Sequence, residues 1–435
     1  MNPSIILTVW FVKIFTVLTK LFGYQASTLP GLIGFRLDSQ LLDKLIKSYQ
    51  GKLILISGTN GKTTTTKLIA DFLSSSGKTL VTNSSGSNLE RGILASLIKG
   101  SSWRAKLEQD YLVIEIDEAE LARIVSRLDP NYLLVTNLSR DQLDRYGEID
   151  SLATKIGGAI RSLDCQLIIN GDDPLLASLK TTKPAIYYGF SFDSQQLPTS
   201  GSELSDIPYD IKTKQKIKYH NRYLGHLGDY YTDSHSLTRP KLDYHLDKLD
   251  LETGKLQINH QPLDTKLSGV YNYYNILASY SLICSLGYND SQFQSFLPSF
   301  EPAPGRSQSL RLDGRELTIA LAKNPVGMNQ VISYVINSKQ YQKVIILIND
   351  QIADGRDVSW LYDCDFQTVL PTTKLFAGGL RAKDLRLRLT VAGLESSLLE
   401  KLDKSSLLAK TDPDDRILIV PNYTAMQDVF EVIGQ

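Results

Sequence analysis

Gly58-Thr59-Asn60-Gly61-Lys62-Thr63-Thr64 follows the apolar run LILIS (53–57) and precedes a helical pattern from Lys67 to Leu73. In a strand–loop–helix setting, glycines let the backbone close around phosphates, with several N–H groups pointing inward at a helix N-terminus. Lys62 would reach the outer phosphates, and Thr63 or Thr64 would offer a hydroxyl to Mg²⁺. Ile56 stands where the longer GxxxxGKT form has its first glycine, so this is the shorter GxxGKT form. A turn and helix cap without a ligand is the lesser reading, because the whole context is present.

Glu115-Ile116-Asp117-Glu118 closes a second apolar run, LVIEI. Carboxylates at the C-terminal edge of a parallel sheet face the crevice where ligands sit. Glu115 could hold Mg²⁺ directly or through water; a solvated acidic turn is the alternative. Asn137, Asp141 and Asp144 in TNLSRDQLD occupy another strand end. Helix capping and surface charge explain them equally well.

The elements that position these groups follow from the apolar pattern. Short runs at 79–82, 112–116, 132–135 and 166–169 are separated by helical stretches, which implies an α/β fold with a parallel sheet and crossovers. From about 191 to 262 the chain turns polar, rich in Tyr, Lys, Asp and Ser, and holds all five histidines: His220, His226, His235, His245 and His260. It reads as an inserted β-rich subdomain. Residues 266–287 read as a helix carrying Tyr271-Asn272-Tyr273-Tyr274-Asn275, and Pro302, Pro304 and Gly305 as a hinge. Runs at 317–322, 344–349, 374–379 and 417–422 then suggest a second, Rossmann-like α/β domain. The division expected is 1–38 (helix and lead-in), 39–301 (central domain) and 302–435 (C-terminal domain).

Composition narrows the function classes. The 435 residues carry 47 Lys+Arg against 47 Asp+Glu, and a zero net charge argues against nucleic-acid binding. Cys165, Cys284 and Cys364 are far apart and form no CxxC pair. A disulfide framework is therefore not expected, and a reducing cytosol fits best. Residues 4–22 are strongly apolar but interrupted by Lys13 and Lys20, which share one helical face with Thr16. They read as an amphipathic helix packed on the protein's own core, with a membrane surface as the second placing. No positive charge precedes the run and no cleavage site follows it, so a signal peptide is a poor match.

GTNGKTT, EIDE, TNLSRDQLDRYGE, NGDDP, YNYYN and PGR occur in this order, and together they resemble the Mur ligases. The resemblance runs from about residue 40 to the end. It implies ATP-dependent amide formation through an acyl phosphate, with Mg²⁺. It also assigns Asn272 and Asn275 to the adenine, and Arg306 with Lys323 and Asn324 to the state in which the C-terminal domain closes on the phosphates. Two departures matter. Gln142 replaces the usual histidine of the Asp141–Asp144 stretch, and Ala320-Leu321-Ala322-Lys323 lacks the usual aspartate and histidine before Asn324-Pro325. Both weaken a self-sufficient amino-acid-adding ligase. Lys155 falls near the family's carbamylated lysine, and a surface lysine explains it as well.

KNPVGMNQ, IADGRDVSWLYDCDF, GLRAKDLRLRL and VPNYTAM resemble the MurT family within that group, the ligase-like subunits of lipid II isoglutaminyl synthase. The resemblance implies a glutamine amidotransferase partner of the GatD type that releases ammonia. It also implies a lipid II substrate whose D-glutamate α-carboxylate becomes an amide, at the cytoplasmic face of the membrane. No Cys–His pair in a recognisable motif could supply an amidotransferase's thiolate and base. In this family the acid of the partner's triad comes from the C-terminal domain, and Asp357 is the candidate, with Asp354 second. The family's zinc-ribbon cysteines align with Ile207, Asp210, Thr232 and His235, so no zinc is expected and other nearby histidines are the lesser alternative. Packing of Tyr219, Tyr223, Tyr230, Tyr231 and Tyr244 would replace it. The rival readings are a standalone amide ligase of the Mur or folylpolyglutamate type, and a non-catalytic nucleotide-binding scaffold.

Overall fold

The computed structural model describes residues 3–21, 28–83, 87–139, 149–197, 207–250, 253–267, 269–302, 306–334, 341–369, 374–409 and 411–434. Three sheets organise them. The largest comprises β1 (Lys52–Ser57), β2 (Leu80–Thr82), β3 (Tyr111–Glu115), β4 (Tyr132–Val135), β5 (Gln166–Asn170), β6 (Ile186–Phe190), β9 (Tyr244–Asp250), β10 (Lys255–Ile258) and β11 (Gln261–Asp264). Between β6 and β9 in the chain, β7 (Lys218–Leu224) and β8 (Leu227–Tyr231) form a separate hairpin.

The large sheet runs β11-β10-β9-β6-β5-β4-β1-β3-β2. All pairings from β2 to β9 are parallel, and β9–β10–β11 is an antiparallel extension. Continuous apolar strands such as β1 are what a sheet covered on both faces requires. Leu53 and Leu55 join a core with Ile5, Val9, Leu94 and Ile124, while Ile54 and Ile56 face Leu68, Phe72 and Leu277 on the other side. Burying each such side chain contributes about 1.5–3 kcal/mol.

The polar stretch from 191 to 262 is thus not one unit. The β7–β8 hairpin stands off the central sheet, whereas β9 pairs directly with β6, Tyr188 opposite Tyr244. Ile207 and Tyr230 are buried in the main core, Asp210 receives the Thr213 backbone N–H, and Thr232 accepts from the Leu237 N–H. Tyr223 donates its hydroxyl to the Phe192 carbonyl at 2.9 Å, Tyr219 donates to that of His226 at 2.9 Å, and the Tyr231 ring stacks on His220 at 4.4 Å. Aromatic packing and local turns are what surround Ile207, Asp210 and Thr232.

The second sheet, β12 (Arg306–Leu312), β13 (Arg315–Ala320), β14 (Lys343–Leu347), β15 (Lys374–Gly378), β16 (Ser396–Leu398) and β17 (Arg416–Pro421), has the order β12-β13-β17-β14-β15-β16. Only the β12–β13 hairpin is antiparallel.

The N-terminal helix Pro3–Leu21 buries Ile5, Val9 and Val12. The Lys13 amine donates to the Ser101 carbonyl and lies 5.5 Å from the Trp103 ring; burial lowers its pKa. The lysine is thus folded onto the body, and the solvent face carries Leu7, Trp10, Phe11, Ile14, Val17 and Leu18. No helix of the described residues is long and apolar enough to cross a membrane.

Candidate active site

The glycine loop leaves β1 and starts the Lys62–Ser75 helix, whose first turn has no side-chain cap. Its N–H groups are oriented for an anion. Gly58 and Gly61 have φ of +124° and +87°. A Cβ on Gly61 would lie 2.1 Å from Asn275 Oδ1, so only glycine fits there.

Neighbouring strand ends pin the loop. Asn60 donates its backbone N–H to Asn137 Oδ1 at 3.1 Å, and Asn137 Nδ2 returns a bond to the Asn60 carbonyl at 3.0 Å. Thr136 donates to the same carbonyl at 2.7 Å. The Ser139 backbone N–H donates to Thr59 Oγ1 at 3.0 Å. Asn137 is therefore a loop-positioning residue. Asp141, Gln142 and Asp144 lie outside the described residues.

Lys62 is buried in the loop mouth. Its ammonium donates to the carbonyls of Gly58 and Thr59 and to Glu118 Oε2 at 3.0 Å. Burial by itself lowers the amine's pKa, but Glu118, Glu115 and Asp117 more than offset it, and the net direction is upward. The lysine is firmly cationic. Its partner is Glu118, the first residue of the Glu118–Leu128 helix, rather than Glu115. Glu115 is held by its backbone, exchanging two 2.8 Å bonds with the Asn83 side chain. Asp117 caps the same helix through the Ala119 N–H. Carboxylate oxygens together with the half-buried Thr63 hydroxyl are hard donors of the kind Mg²⁺ takes. Thr64 is buried.

Asn272 and Asn275 are buried on the Val270–Ser285 helix, which packs on the loop's helix. Asn275 Oδ1 accepts from Thr65 Oγ1 at 3.4 Å, so this residue abuts the loop itself. From the second sheet, Asn324 Nδ2 donates to Asn60 Oδ1 at 3.1 Å, while its Oδ1 accepts the Gly327 N–H at 2.8 Å. One side chain thus caps the Pro325–Tyr334 helix and ties the C-terminal domain to the loop. Lys323 is half-buried beside it. Arg306 has its backbone in β12, opposite Ala320; its side chain lies outside the described residues.

The remaining candidates separate clearly. Asp354 is buried and accepts both the backbone N–H and the hydroxyl of Thr424. Asp357 is exposed, and its carboxyl accepts the Ser359 N–H at 2.8 Å, which with the Ser359 hydroxyl lowers its pKa. Lys155 is exposed on the Ile149–Ile160 helix.

Two features escaped sequence reasoning. Glu118 lay inside EIDE, but strand-end logic favoured Glu115. Asp172 of NGDDP is fully buried, accepting from Arg239 at 3.0 Å, Tyr274 at 2.7 Å and the Phe190 N–H at 2.8 Å. It joins the β7–β8 region to the Val270–Ser285 helix; no sequence signal marks Arg239 as its partner.

Residues 56–283 match the Mur ligase middle domain and residues 321–426 match the MurT ligase C-terminal domain. Over 418 residues the chain is 32% identical to the protein named lipid II isoglutaminyl synthase (glutamine-hydrolyzing) subunit MurT of Staphylococcus aureus (strain COL), covering 95% of this chain and 94% of that one. It is 31% identical to the like-named protein of Streptococcus pneumoniae (strain ATCC BAA-255 / R6), covering 94% and 93%. The chain belongs to the MurT family. Membership makes it an ATP-dependent ligase subunit of the Mur type. Among solved structures, a MurT-family chain of this shape resembles the pseudomurein peptide ligase type C of Methanothermus fervidus, with TM-score 0.69, 20% identity, and 90% of this chain and 80% of that one covered. It also resembles MurF ligase of Thermotoga maritima in complex with ADP, with TM-score 0.60, 13% identity, and 91% and 82% covered. At such identities these two speak for the fold.

Proposed function

We propose that this chain activates the α-carboxylate of D-glutamate in the lipid II stem peptide for amidation, with ammonia delivered by a GatD-type glutamine amidotransferase. The observation that carries the reading is the Lys62 loop, clasped by Asn275 on one side and by Asn324, ahead of the Pro325–Tyr334 helix, on the other. Gly58, Thr59, Asn60, Gly61, Thr63 and Thr64 shape the phosphate seat, and Asn272 and Asn275 border the nucleotide. Lys62 moves from Glu118 to the β- and γ-phosphates. Thr63 and Glu115 would hold Mg²⁺, which would supply charge neutralisation there. A carboxylate oxygen attacks the γ-phosphorus and ADP leaves. Ammonia then attacks the acyl carbon, and the C–O bond breaks to release phosphate. Lys323, Asn324 and Arg306 serve the closed state, which excludes water from the acyl phosphate.

Asp357 fits the acid of the partner's triad because its charge is exposed and its bonds to Ser359 leave acceptor capacity. Asp354 spends its carboxylate on Thr424. The departures at Gln142 and Lys323 favour ammonia over an amino acid as nucleophile. The exposed apolar stripe of the N-terminal helix suits the surface of the membrane that holds a lipid-linked substrate.

The deciding experiment is amidation of lipid II by the purified chain with ATP and Mg²⁺, read by mass spectrometry in three arms: glutamine alone, glutamine with a GatD-type partner, and high ammonium alone. Product with the partner, and weakly with ammonium, is expected. Turnover that depends on an added amino acid overturns the reading in favour of a standalone ligase. No product in any arm, with ATP still bound, overturns it in favour of a scaffold.

A further inference from the structure

At the far edge of the nine-stranded sheet, two histidines and one carboxylate converge. His245 Nε2 lies 3.0 Å from Asp247 Oδ1, and His260 Nδ1 lies 3.3 Å from Asp247 Oδ2. One ligand atom from each residue falls within 4.8 Å of the other two. A tetrahedral ion with bonds of about 2.0–2.1 Å sets its ligand atoms about 3.3 Å apart, so binding draws the exposed His260 ring inward from a spacing of up to 4.8 Å. The residues differ from Ile207, Asp210, Thr232 and His235 and belong to other elements.

The backbone builds this arrangement. His245 and Asp247 lie two residues apart on β9, where a bulge leaves Asp247 without a ladder partner opposite Gln257 and Ile258 and its carboxylate beside the His245 ring. His260 comes from the turn between β10 and β11. Asn259 and His260 have φ of +47° and +64°, the left-handed pair of a tight hairpin turn. Asn259 anchors that turn to β9: its backbone N–H donates to the His245 carbonyl at 3.0 Å, and its side chain accepts the His245 N–H at 2.8 Å. The His260 N–H donates to Asp247 at 2.6 Å, and Ser191 donates to the same carboxylate at 3.3 Å, which orients the carboxylate from outside a ligand shell. His260 is 82% exposed and Asp247 is 12% exposed in their side chains. The site is open to solvent on one side.

We propose that His245, Asp247 and His260 form a binding site for a divalent transition metal of the zinc type, with water in the fourth position. Two imidazoles with one carboxylate select Zn²⁺ over Mg²⁺ or Ca²⁺, which take oxygen ligands. The ion ties the β10–β11 turn to β9 and so stiffens the sheet edge. It is independent of the nucleotide loop and of the reaction proposed above.

The test uses the full chain, stripped with EDTA and exchanged into metal-free buffer, titrated with Zn²⁺ by calorimetry and with Co²⁺ by visible absorption. The expected result is one equivalent of Zn²⁺, the intense bands of four-coordinate Co²⁺, and no competition from Mg²⁺. His260→Gln weakens Zn²⁺ at least ten-fold and abolishes the rise in melting temperature that Zn²⁺ gives the wild type. His235→Gln, in the turn that follows β8, leaves both unchanged. His260 is exposed, so this variant folds even if His245→Gln does not. Absence of saturable binding at one equivalent, or unaltered binding in His260→Gln, overturns the site and leaves plain His–Asp pairing.

Discussion

Glu118→Gln separates what holds Lys62 in the empty loop from what holds nucleotide. The pair is 3.0 Å long, and both side chains are under a tenth exposed. A hydrogen bond to a charged partner contributes about 1.5–3 kcal/mol, against about 1 kcal/mol for a neutral one. The amide keeps an acceptor but loses the charge, so the empty state loses about 1–2 kcal/mol. The carbonyls of Gly58 and Thr59 remain as acceptors for the ammonium, which limits the loss. In the nucleotide-bound state Lys62 has turned to the phosphates and the loss is largely absent. At about 1.4 kcal/mol per factor of ten, ATP should bind about ten-fold tighter to the variant. The assay is calorimetric titration of ATP in EDTA, so that any role of Glu118 toward Mg²⁺ is silent, beside a thermal melt of the empty chain, which should fall by a few degrees. Lys62→Met is the control and loses ATP binding outright. Unchanged or weaker ATP affinity in Glu118→Gln would refute the idea that this ion pair competes with the phosphates.

Asp357→Asn should leave the melting temperature unchanged and abolish glutamine-dependent amidation while sparing the ammonium-dependent arm. Asp354→Asn should instead lower stability by about 1–3 kcal/mol through Thr424, read by denaturant melts; loss of the ammonium arm in Asp357→Asn would contradict its proposed role. Burial pushes the Asp172 carboxyl up to about 6 in spite of Arg239, from 3.8. Between those pH values the folded chain keeps a proton that the unfolded chain releases, so this group's contribution to stability falls as pH rises, by about 3 kcal/mol in all. Asp172→Asn should remove that slope between pH 4 and 6, and parallel stability curves for the two proteins would count against it. Lys343→Met should cost about 3 kcal/mol or more, because the buried ammonium donates to the carbonyls of Ser406, Leu407 and Ala409 at 2.8–3.0 Å; an unchanged melt refutes this. Phe11→Glu, on the exposed stripe of the N-terminal helix, should abolish co-sedimentation with anionic vesicles; failure of the wild type to co-sediment sinks the membrane contact.

The glycine loop is a local feature and therefore legible in the chain. A glycine loop between a strand and a helix binds phosphate through its own backbone, so GTNGKTT needs few distant partners to be recognised. Short apolar runs such as LILI (53–56) and LVI (112–114), alternating with helical stretches, point to a sheet covered on both faces. By contrast, the polar stretch 191–262 read as one insertion, since register and pairing are settled by partners far along the chain. Only the assembled sheet shows that β9 extends it beside β6 while β7 and β8 stand apart.

The strand–glycine loop–helix unit, the α/β alternation and the kinship with the Mur ligases are legible along the chain, because each rests on neighbours in sequence. The tertiary structure decided the pairings. Lys62 takes Glu118 rather than Glu115, since the helix following β3 turns its first residue toward the loop. Asn324 meets Asn60 across 264 residues. Asp354 is buried against Thr424 and Asp357 is exposed, a distinction that two aspartates three residues apart cannot show in sequence. Lys343, a lysine in a strand, is buried because three carbonyls from the 404–409 segment surround its ammonium. For Lys62, Asn324, Asp354 and Lys343 the deciding free energy is that of a charge or amide withdrawn from water, and it is favourable only when a distant partner arrives to replace the water.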